Sequence, residues 1–408
     1  MKKNLFQRLQ RVRISDFVHI LLFFAAVIPA LFVRMKRNIW LVSETADEAR
    51  DNGYWFFLYV RKHHPDEDIV YAIRSRSPDA KKMRSIGKTV EYGSFRHWVY
   101  YLACSVKLSS QKSGRPNDAV CYILDRIGLR KKEVFLQHGV IKDDLPYVHA
   151  DKAKFSLFVT SAEREFRYVN EYFGFHDGVV QKLGLCRFDD LHYAETDKKL
   201  VLIMPTWRQW IANHDIKAKD AECFHAFKQT EYFRKWKEFL SSNEFLEFLS
   251  VHDMNAVFYP HRHMQKYIKD FKKEFHDSGF IKIETFPNGD VHELLKKSAI
   301  LVTDYSSVAM DFAYMEKPVI YYQFDYKKFR KYHLPEGYFD YSDDSFGPVC
   351  HNLDDVIKNL KTASVREMRM EEKYRKRAQL FFDLKDASNC KRTYEAVKQL
   401  IMEDKNND

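Results

Sequence analysis

Four short segments concentrate the side chains able to handle a proton or a phosphate, and each follows a β-rich apolar run. They are Gln137-His138-Gly139, leading on to Lys142; Pro205-Thr206-Trp207-Arg208; Pro260-His261-Arg262-His263; and Thr303-Asp304-Tyr305-Ser306-Ser307. Ligands of open parallel sheets sit beyond the carboxyl ends of the strands, so strand-tip residues are the ones to examine. A histidine titrates near neutrality and can take a proton from an attacking hydroxyl, which makes His138 a candidate base. Gly139 beside it permits close backbone approach. The competing reading of His138 is a hydrogen-bonded structural imidazole.

Arg208 offers a forked guanidinium suited to phosphate, although isolated surface arginines are common. His261, Arg262 and His263 form a dense basic cluster that fits an anion; zinc competes, but the two histidines have no evident third ligand. Between the run Ala299–Val302 and the helix expected from Val308, Ser306 and Ser307 either cap that helix or supply hydroxyls to a phosphate at its N-terminus. Thr206, Thr303 and Asp304 lie in the same two tips. Together these features describe an anionic diphosphate held by a second domain, with a proton acceptor donated by a first.

The elements that must position these residues are short strands alternating with amphipathic stretches, the pattern of βα units. Runs at 39–43, 68–73, 105–110, 133–138 and 155–160 read as one set of strands. Runs at 201–206, 256–261, 280–284, 299–304 and 318–323 read as a second. Helical spacing of apolar residues predicts helices over 52–64, 161–173, 232–249, 263–276, 290–297, 306–315 and 365–382. The simplest division is a segment 1–37, a domain 38–195, a domain 196–385, and a C-terminal helix and tail 386–408. No GxGxxG or GxxxxGK[ST] loop occurs, so the dinucleotide and P-loop fingerprints are absent.

The 408 residues, 45% hydrophobic and 30% charged with 13 Gly and 11 Pro, describe a globular chain of two or three domains. Its six cysteines show no CxxC spacing and read as reduced thiols, without structural zinc. Eight basic residues against Asp16 place +7 of the total +10 charge within residues 1–37. A nucleic-acid binder would spread that charge over its folded surface, so nucleic acid is not an expected partner. Here the excess flanks Phe17–Val33, an apolar run spanning ~25 Å as a helix against the ~30 Å of a bilayer core. An interfacial or re-entrant anchor, a transmembrane helix and a buried core helix all fit that length. Basic flanks on both sides and Pro29 favour the first, on an anionic surface. Arg34, Met35, Lys36 and Arg37 stand where a signal peptide would need small residues for cleavage.

From Ile39 to Asp354 the chain resembles the CDP-glycerol glycerophosphotransferase family, the teichoic-acid and capsule polymerases and primases of Gram-positive bacteria. The resemblance is carried by Ser43-Glu44 with Ala49, Asp51, Asn52 and Gly53; LQHGVIKDDLP at 136–146; MPTWR at 204–208; YPHR at 259–262; the block 290–325 containing TDYSS; and GPV at 347–349. It implies a GT-B type fold, with two Rossmann-like parallel-sheet domains facing a central cleft, plus an N-terminal membrane-associating helix. It further implies transfer of a polyol phosphate from a CDP-activated donor to an acceptor hydroxyl, releasing CMP, with no cofactor and at the cytoplasmic face of the cell membrane.

By motif position His138 matches the general base and His261 the donor-phosphate histidine, the two candidate catalytic residues. Arg208, Arg262, Thr303, Ser306 and Ser307 fall on phosphate-binding segments; with Lys142, Thr206 and Asp304 they make up the candidate substrate-binding set. Many members read H-G-T-P-x-K, whereas here Lys142 follows His138 one residue sooner, which bears on the acceptor. CDP-glycerol is the expected donor and a lipid-linked glycan or polyol-phosphate polymer the expected acceptor. The alternatives are CDP-ribitol as donor, a nucleotide-sugar glycosyltransferase of the same architecture, and a non-catalytic binder of membranes or anionic polymer.

Overall fold

The computed structural model describes residues 14–112, 114–212, 226–274 and 279–405. Lys2, Lys3, Arg8, Arg11, Arg13, Cys223 and the last two residues of the helix expected over 263–276 lie outside the described residues. Two wholly parallel sheets organise the chain. The front sheet has seven strands in the order β3-β2-β1-β4-β5-β6-β7. Its strands are β1 Trp40–Ser43, β2 Ile69–Ile73, β3 Thr89–Glu91, β4 Val106–Ser109, β5 Glu133–Phe135, β6 Leu157–Thr160 and β7 Val180–Lys182. The rear sheet has the order β10-β9-β8-β11-β12-β13. It comprises β8 Asp197–Ile203, β9 Asn255–Phe258, β10 Ile281–Ile283, β11 Ser298–Thr303, β12 Val319–Tyr322 and β13 Val349–Cys350.

Continuous apolar runs form these strands because helices cover both faces of each sheet. In β1, Trp40 and Val42 join one core cluster while Leu41 joins another on the opposite face. In β8, Val201 and Ile203 pack on one side and Leu202 on the other. Each sheet reverses its strand order between its first and fourth strands, β1/β4 and β8/β11, and a crevice opens beyond such a switch point. The tips of β8 and β11, which carry Thr206 and Asp304–Ser307, are therefore neighbours.

Three strands escaped the sequence reading: β3, β7 and β13 are two- or three-residue edge strands, too short to show a period. The helix expected over 232–249 is two, Glu231–Leu240 and Asn243–Val251, because Ser242 caps the second by accepting from Phe245 N at 3.0 Å. The helix expected over 365–382 is corrected to Leu353–Val365 and Glu372–Phe381, parted by left-handed backbone at Glu367 and Met368. The last helix, Asn389–Lys405, returns to the front lobe, where Tyr394 packs on Trp40 and Lys398 pairs with Glu67 at 2.7 Å.

Helix Ile14–Lys36 lies along the front lobe against helix Phe95–Ala103. Phe23, Ala26 and Ala30 are buried there, with the Phe23 ring 5.8 Å from that of Trp98. Polar contacts fix its position: Trp98 Nε1 donates to His19 Nδ1 at 3.0 Å, and Asn117 Nδ2 donates to Asp16 at 2.8 Å. Its outer face exposes Phe17, Leu21, Phe24, Ile28, Leu31, Phe32 and Met35. The buried-core reading of this segment is thereby overturned, since only one stripe of the helix is covered.

Candidate functional site

His138 stands on the crevice wall because the chain turns sharply after β5. Gln137 adopts φ 63°, a left-handed conformation, and is held there by its own side chain donating to Glu165 at 3.0 Å and by Asn52 Nδ2 donating to its carbonyl at 2.8 Å. The His138 side chain keeps 66% of its surface, facing into the space between the lobes. Its Nδ1 lies 2.5 Å from Asp51 Oδ2. Asp51 caps helix Asn52–His63 through Oδ1, which also accepts from Arg187 Nη1 at 3.1 Å.

This carboxylate holds the His138 imidazolium above the usual histidine range, with partial desolvation by the surrounding walls, despite the exposed ring surface, and the Arg187 charge opposing. Burial favours neutral Asp51, but His138 and Arg187 prevail and keep it below the ordinary carboxylate range. With Nδ1–H committed to Asp51, Nε2 is the nitrogen left to accept a proton, the arrangement of an oriented base. Behind it, Glu44 accepts from the backbone N–H groups of Arg50, Asp51 and Tyr54, and burial followed by the charge of Asp51 pushes it up to about 8.

The opposite wall is reached directly. A Cβ at Gly139 would stand 2.7 Å from Ser307 Oγ, so any larger residue would push the Ser307 hydroxyl aside where the two lobes meet. Ser307 begins helix Val308–Tyr314 without using its hydroxyl as a cap, and Ser306 Oγ accepts only a long 3.4 Å bond from Val308 N. Thr206 Oγ1 is buried with no hydrogen-bond partner among the described residues, an orphan that a ligand oxygen would satisfy. His261 Nδ1 accepts from His263 N at 3.2 Å, an assignment that leaves Nε2–H as a donor. Burial, then the neighbouring His263, His138 and His333, push His261 down to about 3. Burial first, with Arg208 next, takes His333 down to about 4. The imidazoles of His261, His263 and His333 all pack on Trp207, with ring centroids 4.6–6.0 Å away.

The expected cationic cluster is therefore corrected: desolvation keeps His261, His263 and His333 below the usual histidine range, so the imidazoles add little positive charge to this wall. Arg262 keeps its charge but pairs with Glu48 and lies 4.0 Å over the Phe286 ring. The open phosphate clamp expected at Arg208 is also corrected. Arg208 is fully buried, its Nε 2.8 Å and Nη2 3.0 Å from the Asp325 carboxylate and its Nη2 2.9 Å from Asp304. It braces the tips of β8, β11 and β12 instead of facing the crevice. Asp304 accepts from Thr206 N and Tyr305 N, and Thr303 Oγ1 donates to the Met204 carbonyl, so both shape the wall from behind. Lys142 is 3% exposed, bound to Asp143, which Arg330 also engages at 2.6 Å across the lobes; this cluster removes it from the expected substrate set.

Asp51, Arg187 and Glu44 are the site residues that sequence reasoning passed over as chemistry. Asp51 and Glu44 stand in the segment that opens the family resemblance, and Arg187 had no signal. Removing the charge of Asp51 should move the base. An Asp51→Asn variant is expected to shift the acid limb of kcat/KM to lower pH, because imidazolium loses the anion that stabilises it, while turnover falls. An acid limb that stays put in that variant contradicts the pairing.

Two Rossmann-like sheets whose strand tips face each other across a crevice, with a final helix crossing back to the first lobe, define a GT-B-like protein. The chain matches the CDP-Glycerol:Poly(glycerophosphate) glycerophosphotransferase model over residues 24–399, and it belongs to that family. It is 31% identical over 392 residues to the minor teichoic acid biosynthesis protein GgaB of Bacillus subtilis (strain 168), which covers 92% of this chain and 42% of the relative. It is 28% identical over 172 residues to a teichoic acid poly(glycerol phosphate) polymerase of Bacillus spizizenii, covering 42% of this chain and 38% of that one. The chain thus spans less than half the length of these relatives. The wall teichoic acid polymerase TagF shares the fold, with TM-score 0.64 at 14% identity, over 96% of this chain and 99% of that one.

Proposed function

We propose that the chain transfers glycerol phosphate from CDP-glycerol to a hydroxyl of a teichoic-acid-type acceptor. The acceptor oxygen attacks the phosphorus that bears glycerol; its proton passes to His138 Nε2; the bond from that phosphorus to the bridging oxygen breaks, and CMP leaves. The observation that carries this reading is the Asp51-oriented imidazole of one lobe set against Ser306, Ser307 and His261 of the other. Phosphoryl transfer depends mainly on positioning and preorganised charge. Ser306, Ser307, Thr206 and the Nε2–H of His261 supply donors for the diphosphate, with no metal in this scheme. Relatives named for glycerol-phosphate polymers support the donor, as does a TagF variant soaked with CDPG. A more distant relative named for a poly(ribitol-phosphate) polymer makes CDP-ribitol the donor to compare. Titrating the chain with CDP-glycerol, CDP-ribitol and UDP-glucose by calorimetry tests the choice; tightest binding of UDP-glucose would overturn it.

The same reading places the chain at the cytoplasmic face of the membrane, on anionic lipid, with helix Ile14–Lys36 lying in the interface. Its inner stripe is spent on the front lobe, while its outer face offers large apolar side chains worth roughly 1.5–3 kcal/mol each when buried. Replacing Leu21, Phe24 and Ile28 together by serine is expected to release the chain from phosphatidylglycerol vesicles in flotation, with solution binding of CDP-glycerol unchanged. Undiminished flotation would remove the helix from this role.

A further inference from the structure

Arg187 joins the two lobes at the site through a single side chain. Its Nε and Nη2 grip Asp311 of the rear lobe at 2.6 and 3.1 Å in a forked pair. Its Nη1 donates both to Asp51 Oδ1 at 3.1 Å and to the His138 carbonyl at 2.8 Å in the front lobe. Its own backbone N–H donates to Asn52 Oδ1 at 2.9 Å, and Asn52 in turn donates to the Gln137 carbonyl. The guanidinium is 8% exposed and Asp311 1% exposed, so the fork is held dry. Asp311 lies four residues beyond Ser307 on helix Val308–Tyr314, on the same face one turn along. One planar cation therefore measures the distance between the base and the start of the helix that presents Ser306 and Ser307.

We infer that Arg187 is a positioning residue that sets the His138–Asp51 pair in register with the donor-binding helix through Asp311, so that the base is aimed only when the two lobes are clasped. The inference rests on the proposed transfer for its kinetic consequence, but not for its geometry. A lysine cannot reproduce the clasp: an ammonium is a point charge, whereas Arg187 serves two carboxylates and a carbonyl along fixed directions. The charged groups acting on His138 are Asp51 and Glu44, which favour its protonation, and Arg187, which opposes it. His138 in turn acts on His261 across the crevice.

The test compares Arg187→Lys, Arg187→Gln and Asp311→Asn with the parent chain. A misaimed base costs roughly 10²-fold in turnover, so kcat should fall by about that factor in Arg187→Lys while the Kd for CDP-glycerol stays within about two-fold. Asp311→Asn should lose a comparable factor, and the double variant with Arg187→Gln should be no worse than the poorer single one, as expected for groups acting as a unit. The readout independent of activity is the titration midpoint of His138, followed by NMR on histidine-labelled protein and assigned with His138→Ala. Loss of the guanidinium charge in Arg187→Gln should move that midpoint to higher pH, whereas a role confined to folding leaves it unchanged in the molecules that fold. Turnover retained in Arg187→Lys, additive losses in the double variant, or an unmoved midpoint would each overturn the inference. If the parent chain transfers nothing, the proposed function fails, and the midpoint alone still decides whether Arg187 sets the base.

Discussion

Replacing His138 by alanine is expected to lower turnover by roughly 10²- to 10⁴-fold, the range for a lost general base, while the affinity for CDP-glycerol stays within about two-fold. The imidazole belongs to the front lobe, and the groups proposed to hold the donor, Ser306, Ser307, Thr206 and His261, all belong to the rear lobe. Its removal deletes an acceptor for the attacking proton and leaves the donor wall standing. Histidine at 138 is specified by more than its own type. The left-handed Gln137 lifts it from the strand tip, Asp51 takes Nδ1, and Gly139 admits Ser307 beside it. His261→Ala is expected to give the reverse pattern, weakening the donor while sparing proton transfer. Single-turnover rates and calorimetric Kd values for both variants check the division; equal losses of affinity in the two would contradict it.

Replacing Arg208 by methionine is expected to cost roughly 3–5 kcal/mol of stability, as when one partner is removed from a buried ion cluster. Asp304 and Asp325 would be left with no cation, in a setting where Asp304 is already raised above the ordinary carboxylate range by burial despite Arg208. The three loops that Arg208 braces form the proposed donor wall, so weakened donor binding would follow from unfolding and not from loss of a phosphate contact. Urea denaturation monitored by tryptophan fluorescence reads the stability directly. An unchanged midpoint with weakened CDP-glycerol binding would restore the clamp reading. Arg208→Lys, which keeps the charge but lacks the fork, should fall between the two.

The strand tips were legible because parallel sheets present them together, and the apolar runs that end in His138, Thr206, His261 and Asp304 are visible as runs. What those residues do once there was less legible, because a side chain's partners are set by closure of the fold. Arg208 reads as a phosphate ligand until Asp325, 117 residues away, is seen to occupy it. Lys142 reads the same way until the inter-lobe pair of Asp143 and Arg330, 187 residues apart, surrounds it. Asp51 resembles any helix cap, since one carboxylate oxygen does cap its helix; only the position of β5 beside β4, itself next to β1, brings its other oxygen to His138. The imidazole cluster at 261–263 reads as positive charge, yet burial against Trp207 and mutual repulsion hold it neutral. The edge strands β3, β7 and β13 carry too few residues to establish alternation.

The most direct measurement is product analysis after incubating the full chain with CDP-glycerol and a lipid-linked glycerol-phosphate acceptor on anionic vesicles. CMP should appear in step with acceptor molecules heavier by whole glycerol-phosphate units, with both signals lost in His138→Ala. Release of CMP that persists undiminished in that variant, or acceptor that gains no glycerol phosphate while a nucleotide sugar is consumed in its place, would contradict the account.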